Sequence, residues 1–534
     1  MRKHKFILFA LFISLWQPLF SQTELLSDTL KLLPGTQRVH FDLDHSEYHH
    51  INFYVYLKLN PDCQFHSGEF FSLSIANQNQ KSDIEKVEFA RIYLPSHQEH
   101  QQIGNEFIYE FDMTLWQIWL KKDAYITIDF SGKKTEAKLV LSFQLQDGTP
   151  PVQVLEIIPL WQSDIKGFPY GKNGIDKKNL EEQKVLLPDE TETAFINVLV
   201  SGKQRKTMAK RLASKFYFLS INGQEIAKRN IWRSDCGLNP IYPQYKYWYK
   251  QHPNWCPGLR VNPLLHPISA SLIAEKELNI NLTFQKDPHK DSGIDSYITS
   301  AVLFALAKAE NNLNVSIEEI VAPNMDLWHH RYNPICGSPI LLIQNKGYET
   351  VKSITFNYGY NYETDNKYRW QGELSFMEEE IVYLPPVNWY FYNTDDMPET
   401  FTAHISSVNG EETAFADGKK TSLMELAAVL PHQLTFELET EDVAFHNTLE
   451  IYDEDGQMLY FSKNLQGKNK YSFNLNLHSG CYELILFDEE GNGVKWSHKD
   501  SYFFTIKDKE SGRILKKFQA DFGSEIREQF MILR

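Results

Sequence analysis

Cysteine is scarce in this chain, with five residues among 534, and none of the five belongs to a C-x-x-C pair. A structural zinc site is therefore not expected. After the N-terminal residues no apolar run approaches the roughly eighteen residues that a membrane-spanning helix needs, so we expect no transmembrane segment. Walker, Rossmann and G-x-S-x-G motifs are also missing. The chain thus lacks the signatures of nucleotide-binding proteins and of α/β-hydrolases, and we expect no cofactor.

Positive charge is also in short supply. Lysine and arginine total 54 against 69 acidic residues, for a formal net charge of −15. A chain of this charge does not favour general nucleic-acid binding. Histidine pairs occur at His49-His50 and His329-His330, but no further histidines follow at the spacing of a metal site. The stretch from Asp488 begins like a calcium loop but has Lys499 at the twelfth position, so we assign no metal.

The first residues have the pattern of a secretory signal. Arg2, Lys3 and Lys5 precede a mostly apolar run from Phe6 to Phe20, and a cleavage site fits near residue 22. We therefore predict a signal peptide at 1–22 and export to the periplasm or the exterior, as a secreted or cell-envelope protein. The remaining length is too great for one hydrophobic core and predicts several domains.

Short alternating apolar segments separated by polar turns recur along the chain and predict an all-β fold. Examples are Phe53–Leu59, Lys138–Gln146 and Leu278–Phe284. Residues 297–309 are rich in alanine and fit a helix or a strand, and we favour a strand. Turn-rich joints predict β-sandwiches at 23–150, 151–320, 321–432 and 433–534, the third of them Ig-like.

One stretch, Trp232 to Gly258, combines two cysteines, four prolines and seven aromatic residues. This composition favours a long loop on a rigid scaffold. A bridge between Cys236 and Cys256 would remove about 3 kcal/mol of unfolded-state entropy. Aromatic side chains on such a loop are candidates for a ligand wall. The other three cysteines, Cys63, Cys336 and Cys481, cannot be paired from the sequence.

Three stretches together resemble the bacterial peptide-N-glycosidase F family: Ile158–Gly171 (IPLWQSDIKGFPYG), the loop Cys236–Gly258 with its NWCPG end, and Asp295–Lys308. The resemblance covers roughly residues 40–310. Members of this family are secreted amidases that cut the bond between asparagine and the first N-acetylglucosamine of an N-linked glycan. The resemblance implies two eight-stranded antiparallel jelly rolls with the site at their interface. Residues 320–534 resemble accessory β modules of secreted Bacteroidetes-type enzymes.

The catalytic acids of the family are mostly missing at the positions that match. Glu69 falls where the family has an aspartate, and it is the one surviving candidate acid. Arg211 falls where the family has its glutamate, and a guanidinium cannot deprotonate water because it has no accessible neutral form. A further family glutamate falls near Phe130, and strand alternation predicts that the adjacent Asp129 points to the opposite face.

These residues favour a divergent member that binds N-linked glycans or glycoproteins and has lost amidase activity. The predicted ligand-binding residues are Trp255, His252, Trp248, Tyr247 and Arg211, and Tyr245 and Tyr249 are further stacking candidates. The basic run from Lys203 to Lys215 adds the hypothesis of an anionic glycan. Two alternatives stay open: an active amidase that uses non-standard acids such as Glu69, and a structural or adhesion protein whose sandwiches are spacers.

Overall fold

The computed structural model describes residues 23–41, 43, 47–60, 68–76, 86–95, 105–120, 124–132, 137–204, 214–241, 253–289, 293–307, 313–361, 363–389, 399–413, 418–440, 446–463, 465–491, 493 and 502–533. The predicted signal peptide lies outside these ranges. The described residues form eight β-sheets with few and short helices. The prediction of an all-β fold is confirmed. No described helix has the length and apolar character needed to cross a membrane.

The first jelly roll consists of two four-stranded sheets, ordered β1-β8-β3-β6 and β2-β7-β4-β5. Alternating apolar residues of both sheets, such as Phe53 and Ile128, meet in a core that excludes water. The helical turns Thr114–Trp116 and Gln117–Leu120 lie between β6 and β7. The strands are β1 Thr23–Lys31, β2 Gly35–Phe41, β3 Tyr48–Lys58, β4 Phe70–Ala76, β5 Lys86–Tyr93, β6 Glu106–Asp112, β7 Ala124–Phe130 and β8 Lys138–Asp147.

The second jelly roll repeats this strand order, with β9-β18-β13-β16 in one sheet and β12-β17-β14-β15 in the other. Its first strand is split, because β9 pairs with the end of β18 whereas β10 pairs with its beginning. Short helices cover 177–179, 235–238 and 270–275. The strands are β9 Val154–Gln162, β10 Phe168–Gly171, β11 Gly174–Ile175, β12 Gln183–Leu186, β13 Thr193–Gln204, β14 Phe216–Ile221, β15 Gln224–Asn230, β16 Leu264–Pro267, β17 Glu277–Phe284 and β18 Ile294–Leu306.

The ambiguous segment at 297–309 is a strand in the described residues, since β18 runs through Leu306. It pairs with β13 over almost its whole length. One face of this pair lies in the core of the second jelly roll, through residues such as Ile196 and Leu303. The other face carries Phe195 and Phe304 into the core of the first jelly roll. The two jelly rolls are therefore joined by continuous apolar packing.

A third sandwich packs a three-stranded sheet, β19-β20-β23, against a larger sheet that contains β22-β21-β24. Its 3-10 helix spans Leu327–Tyr332. The strands are β19 Val315–Ala322, β20 Ile340–Asn345, β21 Val351–Tyr360, β22 Asn366–Leu374, β23 Glu379–Tyr383, β24 Thr400–Val408, β25 Glu411–Glu412 and β26 Lys419–Leu423.

The last sandwich has the sheets β27-β35-β32-β29-β30 and β31-β28-β33-β34. The turn at Asp455-Gly456 joins β29 to β30 as a hairpin. The strands β32 and β33, on either side of Gly491 and Gly493, lie in different sheets. The strands are β27 Ala428–Leu430, β28 Gln433–Glu439, β29 Asn447–Asp453, β30 Met458–Ser462, β31 Lys470–Asn476, β32 Gly480–Asp488, β33 Tyr502–Asp508, β34 Ile514–Gln519 and β35 Glu525–Ile532.

Candidate functional site

The aromatic loop, Trp232–Gly258, is closed by the disulfide Cys236–Cys256, as predicted from the sequence. Residues 242–252 of the loop lie outside the described residues. The loop leaves the second jelly roll and returns along the first. Residues 258–261 extend the sheet edge at β5, with Val261 N donating to Arg91 O at 2.8 Å and Tyr93 N donating to Leu259 O at 3.0 Å. This strand addition fixes the end of the loop on the first jelly roll.

Gly258, the last residue of NWCPG, has a conformation that favours glycine. Its φ is +80°, and a Cβ there would lie 2.7 Å from Ile241 Cδ1. Its carbonyl accepts a hydrogen bond from the Tyr109 hydroxyl at 2.9 Å. Any side chain at this position would disturb both the loop and its contact with the first jelly roll.

Trp255 is buried at this junction, with 3% of its surface exposed. Its indole stacks on Tyr93, with ring centroids 4.1 Å apart and planes within 7°. Its Nε1 donates to Gly202 O at 3.0 Å, at the end of β13. In this position Trp255 holds the two jelly rolls together and does not offer an open face to a sugar. The other predicted ligand-binding residues, Tyr247, Trp248, His252 and Arg211, with Tyr245 and Tyr249, lie outside the described residues.

The seam is the interface that β4 and β5 of the first jelly roll make with β13 and β18 of the second. At its centre Arg91 is fully buried and donates to both carboxylate oxygens of Glu88, at 2.9 and 2.6 Å. The same guanidinium reaches across to Ser201 Oγ at 2.6 Å and Ile298 O at 3.0 Å. Burial raises the pKa of Glu88, against the opposing effect of Arg91. The side-chain nitrogen and oxygen atoms of this ion pair thus all form hydrogen bonds inside the protein, and those from Arg91 to Ser201 and Ile298 link the two jelly rolls.

Tyr93 completes the polar centre of the seam. Its hydroxyl lies 2.9 Å from Ser201 Oγ, and burial raises the pKa of Tyr93 to about 12. Around it, Phe70, Leu199 and Ile298 form a small apolar cluster with Trp255. Sequence reasoning missed Glu88 and Arg91, because two charged residues on a strand ordinarily indicate a solvent-exposed face.

Glu69, the surviving candidate acid, immediately precedes β4 and is half-buried at the rim of the seam. Its backbone oxygen accepts a hydrogen bond from Leu94 N at 2.9 Å. The preceding residue, Gly68, packs against the indole edge of Trp255. The structure therefore places the backbone of Gly68 and Glu69 beside the Trp255 end of the aromatic loop.

Asp129 points away from the core, as alternation predicted. Its neighbour Phe130 is buried in the first jelly roll, whereas Asp129 accepts hydrogen bonds from Lys86 Nζ at 2.6 Å and from the Thr36 hydroxyl on the opposite face. Like Glu88, Asp129 is engaged with a cation.

The two C-terminal sandwiches brace the start of the aromatic loop. Arg331, from the 3-10 helix of the third sandwich, donates to five backbone carbonyls; three belong to Gly237, Leu238 and Asn239 of the loop, and two to Phe522 and Glu525 of the last sandwich. Gly237 lies so close to the last sandwich that a Cβ there would be 2.0 Å from Ser524 Oγ. The aromatic loop is thus anchored at its start by the C-terminal sandwiches and at its end by strand addition to the first jelly roll.

A second disulfide, Cys336–Cys481, joins the third and last sandwiches. Cys63 lies outside the described residues. The two histidine pairs are engaged in ordinary hydrogen bonds: His50 lies 2.9 Å from Asn52 Oδ1, and His329 lies 3.0 Å from Glu319 Oε2. Within the described part of the chain, no three His, Cys, Asp or Glu residues are grouped to hold a metal ion.

The fold and the seam define a double jelly roll with an aromatic loop at the junction and two further sandwiches behind it. No protein-family model matches the chain, and no curated protein matches it. Among solved structures, the chain is similar to PNGase F, a glycosylasparaginase from Flavobacterium meningosepticum, with 18% identity and a TM-score of 0.46 over 54% of this chain and 96% of that one.

Two further structures are similar to the same part of this protein. Recombinant peptide:N-glycanase F is 20% identical, with a TM-score of 0.44 over 53% of this chain and 96% of that chain. PNGF-II is 13% identical, with a TM-score of 0.41 over 53% of this chain and 66% of that chain. These proteins include members of the family that the sequence motifs resemble.

Proposed function

We propose that this is an exported protein that binds N-linked glycans or glycoproteins at the aromatic loop beside the seam, and that it does not cleave them. The observation that carries the proposal is the pairing of the carboxylates inside the seam region. Glu88 is bound by Arg91, and Asp129 by Lys86. A general base must offer an oxygen to water, and both oxygens of each carboxylate are already engaged, those of Glu88 by Arg91 and those of Asp129 by Lys86 and the Thr36 hydroxyl.

The sequence at the matching family positions supports the same conclusion. Arg211 replaces the glutamate of the family, and a guanidinium remains protonated throughout the physiological pH range. The loop, in contrast, keeps its disulfide, its NWCPG end and its aromatic residues. Aromatic rings suit the apolar C–H faces of sugars. The loop can therefore bind a glycan although the catalytic glutamate of the family is missing.

Binding is tested by measuring the affinity for a neutral N-glycan with and without the loop aromatics. The variant Tyr247→Ala with Trp248→Ala should weaken binding at least tenfold, since each ring lost removes about 1–3 kcal/mol of apolar contact. Phe461→Ala is the matched control, because Phe461 is a half-exposed ring on the last sandwich. Failure of the wild-type protein to bind any glycan on an array would favour the spacer alternative.

Binding of an anionic glycan can be distinguished by its dependence on basic residues and on salt. If the basic run from Lys203 to Lys215 binds sulfated or uronic chains, Lys210→Glu with Arg211→Glu should abolish binding, and rising salt should weaken it steeply. Binding of neutral N-glycans that is insensitive to both changes supports the proposed ligand class.

One observation favours an active amidase as the second candidate. Glu69 lies at the rim of the seam and directly follows Gly68, which packs against the indole of Trp255. The assay is release of glycan from a denatured N-glycoprotein. We expect no release by the wild-type protein. Release that disappears in Glu69→Gln would establish the amidase and contradict the proposal.

A further inference from the structure

A large open cleft lies between the first jelly roll and the third sandwich, on the far side of the segment 258–265 from Trp255. Its volume is about 1740 Å³. One wall is the outer face of β3, β6 and β8, and the floor includes Arg260 and Asn197. The opposite wall comes from the third sandwich, mainly from β19, β20, β24 and β26. Typical small-molecule sites measure about 300–1,000 Å³, so this cleft has room for an extended ligand.

The jelly-roll wall is rich in planar polar side chains. Asn52, Gln144 and Gln146 face the cleft together with Glu110. The Tyr54 hydroxyl lies 3.0 Å from Gln144 Oε1 and 3.2 Å from Glu110 Oε1, which fixes the orientation of both. Carboxamides and carboxylates held in place offer donors and acceptors in the plane that sugar hydroxyls require.

The floor and the opposite wall of the cleft also carry carboxamide side chains. Gln344 contributes a carboxamide from β20, and Asn197 contributes one from β13. The Asn197 Oδ1 atom itself is enclosed by the protein, so a ligand in the cleft meets the rest of this side chain.

The cleft has more acidic than basic side chains, which argues against an anionic ligand. Seven carboxylates line it against five lysine and arginine side chains. Lys346 Nζ bridges Asp112 Oδ2 at 3.1 Å and Glu318 Oε1 at 2.9 Å. Arg260 Nη1 donates to Glu110 O at 2.6 Å, and its guanidinium lies over the Phe111 ring. A sulfated or uronic chain would have to displace the carboxylates of Lys346 and would face the repulsion of the others.

The backbone groups of β3, the middle strand of the jelly-roll wall, already form hydrogen bonds within the sheet. β3 is paired on one side with β6 and on the other with β8. A peptide that binds by strand addition needs a free sheet edge, and this wall presents a sheet face. On this wall the ligand therefore meets the side chains of a sheet face, which can form hydrogen bonds with hydroxyl groups.

We propose that this cleft is a second binding site, which takes an uncharged oligosaccharide chain between the first jelly roll and the third sandwich. The polyhydroxyl character of the ligand follows from the lining, and its assignment to N-glycans rests on the proposed function. The third sandwich is then part of a binding site and not a spacer.

The test is the affinity of the full-length protein for a neutral high-mannose N-glycan, measured by calorimetry. The cleft variant Asn52→Ala with Gln144→Ala removes two carboxamides from the wall, and Gln146→Trp fills the cleft without removing its other polar groups. Each should weaken binding at least tenfold. Gln457→Ala with Gln466→Ala, two exposed carboxamides on the last sandwich, is the matched control and should bind like the wild-type protein.

Comparison with the loop variant Tyr247→Ala with Trp248→Ala separates the two proposals. If the loop variant loses affinity while both cleft variants keep it and remain folded by circular dichroism, the cleft site is overturned and the loop site stands. If Gln146→Trp and the double carboxamide variant both lose affinity, the cleft site is supported whatever the loop variant does. Absence of binding by the wild-type protein overturns both.

Discussion

The first jelly roll meets the rest of the molecule across two boundaries that differ in kind. At the seam with the second jelly roll, Arg91 and Glu88 are buried, and every polar contact is made within the protein. At the cleft toward the third sandwich, Asp112 keeps 36% of its side chain exposed although it is bound by Lys346. The closed boundary fixes the geometry of the aromatic loop, whereas the open boundary leaves hydrogen-bonding groups available to a ligand.

The largest effect is expected from breaking the closed boundary. Arg91→Ala leaves the Glu88 carboxylate buried without its partner, which typically costs about 3–5 kcal/mol. Urea unfolding should show this loss, and Arg91→Met with Glu88→Gln should recover much of it. The control Lys58→Ala removes an exposed pair with Glu106 and should cost less than about 1 kcal/mol. Equal costs for Arg91→Ala and Lys58→Ala would mean that the seam is not closed.

A smaller loss of unfolding free energy is expected where the C-terminal sandwiches contact the aromatic loop. Arg331→Ala removes the donor of five backbone carbonyls and should cost roughly 2–3 kcal/mol. Hydrogen exchange of residues 236–241 should accelerate. Arg513→Ala, an exposed arginine in the last sandwich, is the control. Unchanged exchange in Arg331→Ala would show that the loop is held by its disulfide and strand addition alone.

At the open boundary the Lys346–Asp112 pair should have a modest, pH-dependent effect. Burial alone would raise the pKa of Asp112, but Lys346 and His50 lower it well below its usual range. A lowered carboxyl pKa contributes stability above the unfolded value near 4 that is lost as the pH falls. Because the carboxylate is partly exposed, Lys346→Met should cost only about 1 kcal/mol at pH 7.

The cost of Lys346→Met should therefore shrink as the pH is lowered below about 4, because Asp112 without the Lys346 charge takes up a proton in the folded variant at a higher pH than in the wild-type protein. The measurement is the free energy of unfolding of both proteins between pH 3 and pH 7. A cost that is constant over this range would contradict the assigned pairing.

The smallest effect is expected at Glu379, across the cleft. Burial and the neighbouring Glu318 raise the pKa of Glu379. A raised carboxyl pKa favours the folded state at low pH, and this contribution is lost as the pH rises through the folded pKa. Glu379→Gln should stabilise the protein by a few tenths of a kcal/mol at pH 7 and have no such effect near pH 4. Thermal unfolding at the two pH values tests this sign.

Local signals in the sequence identified much of this architecture. Alternation located strands such as Leu278–Phe284 and placed Asp129 on the face opposite Phe130, because a strand reverses its side chains at every residue. The density of proline and aromatic residues located the loop, and the short separation made Cys236–Cys256 the natural pair.

Long-range relations could not be obtained in this way. Cys336 and Cys481 are separated by 145 positions, and nothing local links them. Arg331 binds carbonyls of the loop and of the last sandwich, and backbone acceptors leave no trace in side-chain identity. The burial of Trp255 depends on Tyr93, which belongs to the other jelly roll. Each of these features is decided by how the domains meet.

The most direct test of the central claim is to incubate the protein with an N-glycosylated peptide and to examine the mixture by native mass spectrometry. We expect a complex of the protein with intact glycopeptide and recovery of the peptide with its glycosylated asparagine unchanged. Free glycan together with a peptide that carries aspartate at that position would contradict it.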